Sequence, residues 1–244
     1  MREKKLNRIG EVRIMNCGMK AEIIAYRRAD DIDVMFEDGY VAKNKKYCHF
    51  ESGKISNPCL VTIFSVGSIG NTTTTINGKH KKSYMIWSKM LDRCYNKKHK
   101  GYKNYGGRGV TICDEWLCYE NFEKWFDKNY YELKEEKVQL DKDILIKDNK
   151  VYSPDTCIFV PQRINSFFTE RRNRDLPKGV KKHRSKYVAQ IGTKGEHIYI
   201  GTYDTIDEAK ENYLQYRSIV LKSILEEYEN KIPEYVLNKL KKLI

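Results

Sequence analysis

Short alternating and β-branched runs open the chain. Val12-Arg13-Ile14, Ala21 to Tyr26 and Ile32 to Phe36 are separated by turn signals at Asn16-Cys17-Gly18, Asp30-Asp31 and Asp38-Gly39. Asp38-Gly39 between Phe36 and Tyr40-Val41 predicts a hairpin. Residues 8–58 therefore read as a small β module, an SH3-like barrel or a curled meander, closed by the run from Gly53 to Pro58. Residues 59–82, with Gly67, Gly70, Thr72 to Thr75 and Gly78, read as a polar, turn-rich linker.

At Ser83 the period changes. Met85, Ile86, Trp87, Met90, Leu91 and Cys94 recur at spacings of three and four, which predicts an amphipathic helix with Lys89 and Arg93 on its other face. A glycine turn, Tyr105-Gly106-Gly107-Arg108-Gly109, leads into a strand at Val110 to Cys113 and a helix bearing Trp116, Phe122, Trp125 and Phe126. A further strand is expected over Leu140 to Ile146, then a turn at Tyr152 to Asp155, a strand at Cys157 to Val160, and a helix opened by Pro161. After the basic hinge from Arg171 to Pro177, strands at Gly179 to Lys182, Tyr187 to Ile191 and His197 to Gly201 precede a helix. Thr205 and Glu208 form its capping box, and Ala209, Tyr213, Tyr216 and Val220 form its apolar stripe. A three-stranded antiparallel sheet backed by one helix suits this order, and a short helical tail follows over residues 226–244. The fold class is α+β and multidomain.

Charge sharpens this picture. Of 244 residues, 46 are Lys or Arg and 33 are Asp or Glu, a formal net charge of +13. Lys79 to Arg108 holds ten basic residues against Asp92, and Arg171 to Lys194 holds nine against Asp175, whereas Asp114 to Asp143 holds ten acids against five lysines. Two basic tracts interleaved with tyrosines point to a phosphate backbone, and so to nucleic acid as partner. No run of 18 apolar residues exists, and no apolar stretch follows Met1 to Lys5, so the expectation is a cytoplasmic protein without a membrane partner. Seven cysteines without a C-x-x-C pair argue for reduced thiols rather than a disulfide framework or a zinc knuckle.

Four motifs carry a resemblance: Trp87-x-x-Met90-x-x-Arg93-Cys94-Tyr95, Tyr105 to Val110, Cys113-Asp114-Glu115-Trp116, and Leu140-Asp141-Lys142-Asp143 through Tyr152-Ser153-Pro154 to Gln162-x-x-Asn165. Over about 90 residues, 83–172, the chain resembles phage proteins of the HNH homing-endonuclease-like family. Gly179-Val180, Tyr187-x-Ala189-x-Ile191, Tyr199-x-Gly201-x-Tyr203-Asp204-Thr205 and Glu208-Ala209 make residues 173–225 similar to an AP2 DNA-binding domain, in which the sheet enters the major groove. Residues 8–58, with Val34-x-Phe36-Glu37-Asp38-Gly39 and Ile55-x-Asn57-Pro58, resemble a module recurrent in such phage proteins and offer a surface for a protein partner.

The resemblance implies duplex DNA as partner, host-cell cytoplasm as location, and a ββα finger with a histidine base, metal ligands and a helical Asn. Here Lys142 stands where that histidine is expected, and a lysine in its ordinary ammonium form accepts no proton. The turn that would hold the central Asn reads Pro154-Asp155-Thr156. Asp141, Asp143 and Asn165 remain as ligands for Mg²⁺ or Mn²⁺, with Arg108 as a phosphate clamp and His99 the one histidine near the finger motif. On the AP2-like sheet, Lys181, Lys182, Arg184, Lys186 and Gln190, extended by Lys194 and Tyr199 and by hinge residues Arg171, Arg172 and Arg174, form the expected DNA footprint. The alternatives are a regulator that binds DNA without cutting it and a counter-defence or host-takeover factor.

Overall fold

The structure, a computed structural model, describes residues 8–169, 175–193 and 196–244. It is α+β, with several small sheets, and the chain divides into two compact units, Met1–Asn96 with Asp114–Glu123, and Lys97–Cys113 with Lys124–Ile244.

In the first unit, β1 (Val12–Ile14), β2 (Lys20–Arg28), β3 (Asp31–Phe36) and β4 (Val41–Lys45) form an antiparallel sheet in sequence order, followed by α1 (Tyr47–Glu51). Among the described residues β1 and β4 do not pair, so of the two expected forms, barrel and meander, the sheet takes the open meander. Strand alternation sends Ile23, Ile32, Val34 and Phe36 into a core with Met15, Phe50 and Ile55. The Asp38-Gly39 hairpin forms because Gly39 takes φ +88° and the Asp38 carboxylate accepts the Tyr40 N–H.

Residues 59–82, expected as a linker, carry order of their own. They contain the hairpin β5 (Thr75–Ile76) and β6 (Lys79–His80), turned by Asn77-Gly78 at φ +51° and +74°. Gly67 lies so close to Trp87 and Leu91 that a Cβ there would sit 3.0 Å from each. Those two residues belong to α2 (Lys82–Tyr95), whose buried stripe is Trp87, Met90, Leu91 and Cys94. The region read as one helix is split into α3 (Asp114–Leu117) and α4 (Tyr119–Asn129). Trp87 donates its indole N–H to the Trp116 carbonyl at 2.7 Å, and Trp116 meets Phe122 edge-on.

The second unit holds the elements that bear the candidate residues. β7 (Thr111–Ile112) runs parallel to β9 (Val151–Tyr152), and β8 (Val138–Asp141) pairs antiparallel with β10 (Ile158–Pro161), which runs directly into α5 (Gln162–Phe168). β11 (Val180–His183), β12 (Lys186–Thr193) and β13 (Glu196–Tyr203) form an antiparallel sheet. The Thr205–Glu208 capping box, present in both halves, starts α6 (Ile206–Glu227), and α7 (Glu234–Lys241) follows.

Two cores meet along α6. Its first turns bring Ala209 and Tyr213 onto Val180, Ala189 and Ile191 of the sheet. Its last turns bring Leu221, Ile224 and Leu225 together with Ile158, Val160 and Ile164, where Val236, Leu237 and Leu240 of α7 also pack. The apolar stripe thus continues past Val220, and the tail is part of a core.

Candidate nucleic-acid interface and acidic turn

The strand expected over Leu140 to Ile146 ends at Asp141. There Asp141 Oδ1 accepts the backbone N–H groups of Asp143 at 2.7 Å and Ile144 at 2.8 Å, and this side-chain turn bends the chain out of the sheet. Asp141 and Asp143 therefore do not sit on alternate positions of one strand, and the local alternation that suggested it is overridden by the Asp141 carboxylate. Burial pushes the Asp141 carboxyl above its usual range, partly offset by the two backbone N–H donors.

Lys142, only 4% exposed, points inward. Its Nζ donates to Asp143 Oδ1 and to the Asn149 carbonyl, each at 2.6 Å, and lies 5.9 Å from the centre of the Tyr152 ring. Asn149 returns the contact through Nδ2, which donates to the carbonyls of Lys142 and Val151. Lys142 and Asn149 thus staple the ends of the 142–149 loop together. Beyond the loop, Lys150 donates to the Arg108 carbonyl at 2.9 Å, and the Thr111 N–H donates to the Lys150 carbonyl at 2.8 Å. The glycine turn is thereby tied to the loop that follows the acidic residues. Gly109, at φ +76°, ends this turn in a conformation that favours glycine, and the Arg108 side chain is exposed.

Asn165, on α5, donates from Nδ2 to Gln139 Oε1 of β8 at 2.6 Å. The structure brings Asp141, Lys142 and Asp143 into one turn and sets Asn165 against the strand leading to it. As they stand, Asp143 Oδ1 is held by Lys142, Asp141 Oδ1 by two amides, and Asn165 Nδ2 by Gln139, so the second oxygen of each carboxylate and Asn165 Oδ1 lie outside these bonds. Among the described residues no three His, Cys, Asp or Glu side chains are grouped as a metal ion would require. His99 Nδ1 accepts the Gly101 N–H at 3.0 Å and so shapes its own loop. Cys157, beside this turn, is buried, and its thiol is pushed up to about 12, mainly by that burial.

The three-stranded sheet differs. Val180, Ala189 and Ile191 face α6, so the alternate positions face away from it. Lys181 pairs with Val188 and Val188 with Thr202, His183 pairs with Lys186, Gln190 with Tyr199, and Gly192 with His197. The open face therefore carries Lys181, His183, Lys186, Val188, Gln190, His197, Tyr199 and Thr202. Lys182 pairs with Tyr187, which pairs with Tyr203 in the row on the α6 side, so it is exposed at the sheet edge on the side opposite Lys181. Arg184, exposed at φ +55°, forms the β11–β12 turn. The interactions on the open face are light: Tyr199 OH with Thr202 Oγ1 at 2.8 Å, Gln190 Nε2 with His197 Nδ1 at 3.5 Å, and an exposed Lys186–Asp204 ion pair at 3.0 Å.

Arg171, Arg172, Arg174 and Lys194 lie outside the described residues. His183, His197 and Thr202 were missed by sequence reasoning; strict alternation from Lys181 and Tyr199 would have found the two histidines, whereas Thr202 reaches this face only through the register shift between Ala189 and Gln190. Gln139 carried no local signal, because its role depends on β8 lying beside α5. No helix among the described residues is long and apolar enough to cross a membrane. In comparison with known proteins, the chain matches no family model, no curated protein and no solved structure.

Proposed function

We propose that this chain binds duplex DNA through the open face of the β11–β13 sheet, as its resemblance to phage HNH endonuclease-like proteins with an AP2-like domain implies. The observation that supports this best is the composition of that face. Lys181 and Lys186 supply phosphate contacts, while Gln190, Tyr199 and Thr202 present groups suited to base edges and sugars in a groove. Apart from the half-buried Val188 and Gln190 the face is exposed, and its side chains are only lightly engaged with one another.

A gel-shift series on a duplex selected by the full chain tests this reading. The joint substitution Lys181→Glu and Lys186→Glu should weaken affinity by roughly ten- to a hundredfold and flatten the salt dependence. Unchanged affinity would remove the sheet from the interface. A failure of every duplex to bind would leave the host-takeover alternative, in which the exposed Ile14, Ile24 and Met35 on the sheet of residues 8–58 offer an apolar surface to a protein partner.

Whether the strand is cut divides the reading in two, and the inward commitment of Lys142 favours a protein that holds DNA without cutting it. Its side chain is buried and its Nζ is held on the two acceptors described above, turned away from the solvent where a water would have to be activated. The cutting version is favoured by the exposed Arg108 on the turn tied to this loop. It requires Asp141, Asp143 and Asn165 to converge on Mg²⁺ or Mn²⁺ through the second oxygen of each carboxylate and Asn165 Oδ1, the oxygens outside the bonds to the amides, Lys142 and Gln139. Supercoiled plasmid incubated with either ion should stay intact under the favoured version. Nicking that disappears in Asp141→Ala would establish the other.

A further inference from the structure

The basic segment between α5 and β11 reads from sequence as a hinge between two modules, yet the described residues on either side of it are fastened together. The fastening runs through α6. Phe167 and Val220 pack against the sheet core and against the β10–α5–α7 core alike. The Arg217 guanidinium of α6 lies 4.8 Å from the Phe167 ring and 5.2 Å from the Phe168 ring of α5. Near the end of α6, Glu227 takes two N–H groups from Arg163 of α5, at 2.6 and 3.2 Å. Next to it, Tyr228 OH donates to Glu136, whose other oxygen accepts the first-turn amide of Arg163 at 2.5 Å. From the sheet side, Lys178 Nζ donates to the carbonyls of Phe167 and Thr169 at 2.8 Å each, closing the C-terminal end of α5.

These contacts hold α5 at both ends while α6 continues onto the sheet. From Ala209 to Leu225 the helix advances about 24 Å at 1.5 Å per residue, a length close to seven base pairs of duplex at about 3.4 Å each.

We propose that α6 joins the open sheet face and the β8–α5 layer into a single rigid body of fixed phase, which engages one continuous duplex segment rather than two independently placed ones. This rests on the DNA-binding reading above for its ligand, but not for its rigidity. Rigidity between modules would make the spacing of DNA contacts a property of the fold, with Arg217 and Glu227 as positioning residues for α5.

Nitroxide side chains placed at the exposed Ser185 and Ser166 of the full chain, read by pulsed electron spin resonance without DNA, test the rigidity. A single narrow distance distribution is expected, broadened when Arg217→Ala and Glu227→Ala are combined. A broad distribution in the parent, or an unchanged width in the doubly substituted chain, would overturn the proposal. Hydroxyl-radical footprinting on a selected duplex tests the consequence for DNA. Two protected tracts at constant spacing are expected, the one away from the sheet being lost in the doubly substituted chain. One tract only, or two tracts unaffected by that loss of clamping, would overturn the single-body reading. If no duplex can be selected while the distance distribution is narrow, the DNA-binding reading fails and the rigid body stands.

Discussion

The acidic turn after β8 and the open face of the β11–β13 sheet are both rich in charged and polar groups, and they handle them in opposite ways. In the turn, Asp141, Lys142, Asp143 and Asn149 satisfy one another and the backbone. On the sheet, Lys181, His183 and His197 stand exposed, and the bonds among their neighbours are few. Buried polar groups are costly unless paired, so those in the turn are fixed by folding, whereas the solvated ones on the sheet remain available for exchange with a ligand. The same residue types therefore carry different meanings in the two places, and residue type alone does not separate a site from a strut.

The largest expected effect breaks the sheet's support. Gly179 has φ +81°, and a Cβ there would meet the Tyr213 ring at 2.1 Å and the Gln190 carbonyl at 2.8 Å. Gly179→Ala should cost about 4 kcal/mol in urea unfolding, through backbone strain and overpacking together. A cost near zero would mean that the sheet does not need its seat on α6. Next, Lys142→Ala removes a buried cation and orphans the Asn149 carbonyl. The expected loss is about 3 kcal/mol, read as a lower urea midpoint at unchanged slope. A neutral outcome would show that the ammonium is not holding the loop, and would reopen the turn as a reactive site.

A smaller effect belongs to the start of the shared helix. Thr205→Ala should cost about 1 kcal/mol, seen as roughly fivefold faster hydrogen exchange of the first α6 amides. The least expected change is the most discriminating. Asp141→Asn keeps an oxygen to accept the Asp143 and Ile144 amides but removes a buried charge. Because the folded Asp141 carboxyl is raised, its contribution to stability is complete below the ordinary aspartate range and fades as pH rises through the raised value. At neutral pH the substitution should thus be neutral or stabilising by under about 1 kcal/mol, with that advantage vanishing toward acid pH. A clear destabilisation at neutral pH would show that the negative charge itself is needed, as a cation site would demand.

Local signals made several features legible from sequence. The capping box at Thr205 and Glu208, the Asp38-Gly39 turn and the Trp87 stripe depend on neighbours within a few positions, and each was in place. The strand over Leu140 to Ile146 failed because a side chain captured two amides that alternation assigns to a sheet. Lys142 was seen as a departure from an expected histidine, but its inward course depends on Asn149, seven residues away across a loop. The second half of α6 was illegible for a related reason: Leu221, Ile224 and Leu225 continue the helical period, but which core they serve is decided by β10, α5 and α7.

That dependence has a consequence during synthesis. Ile158, Val160 and Ile164 are made before α6 and α7, yet the residues that cover them extend to Leu240. At about 5 to 20 residues per second, some 4 to 15 s separate Ile164 from Leu240. Through that interval the nascent chain carries the apolar side of β10 and α5 uncovered. A ribosome pausing within α6 would prolong this exposure, giving chaperones and proteases a window that closes when α7 emerges.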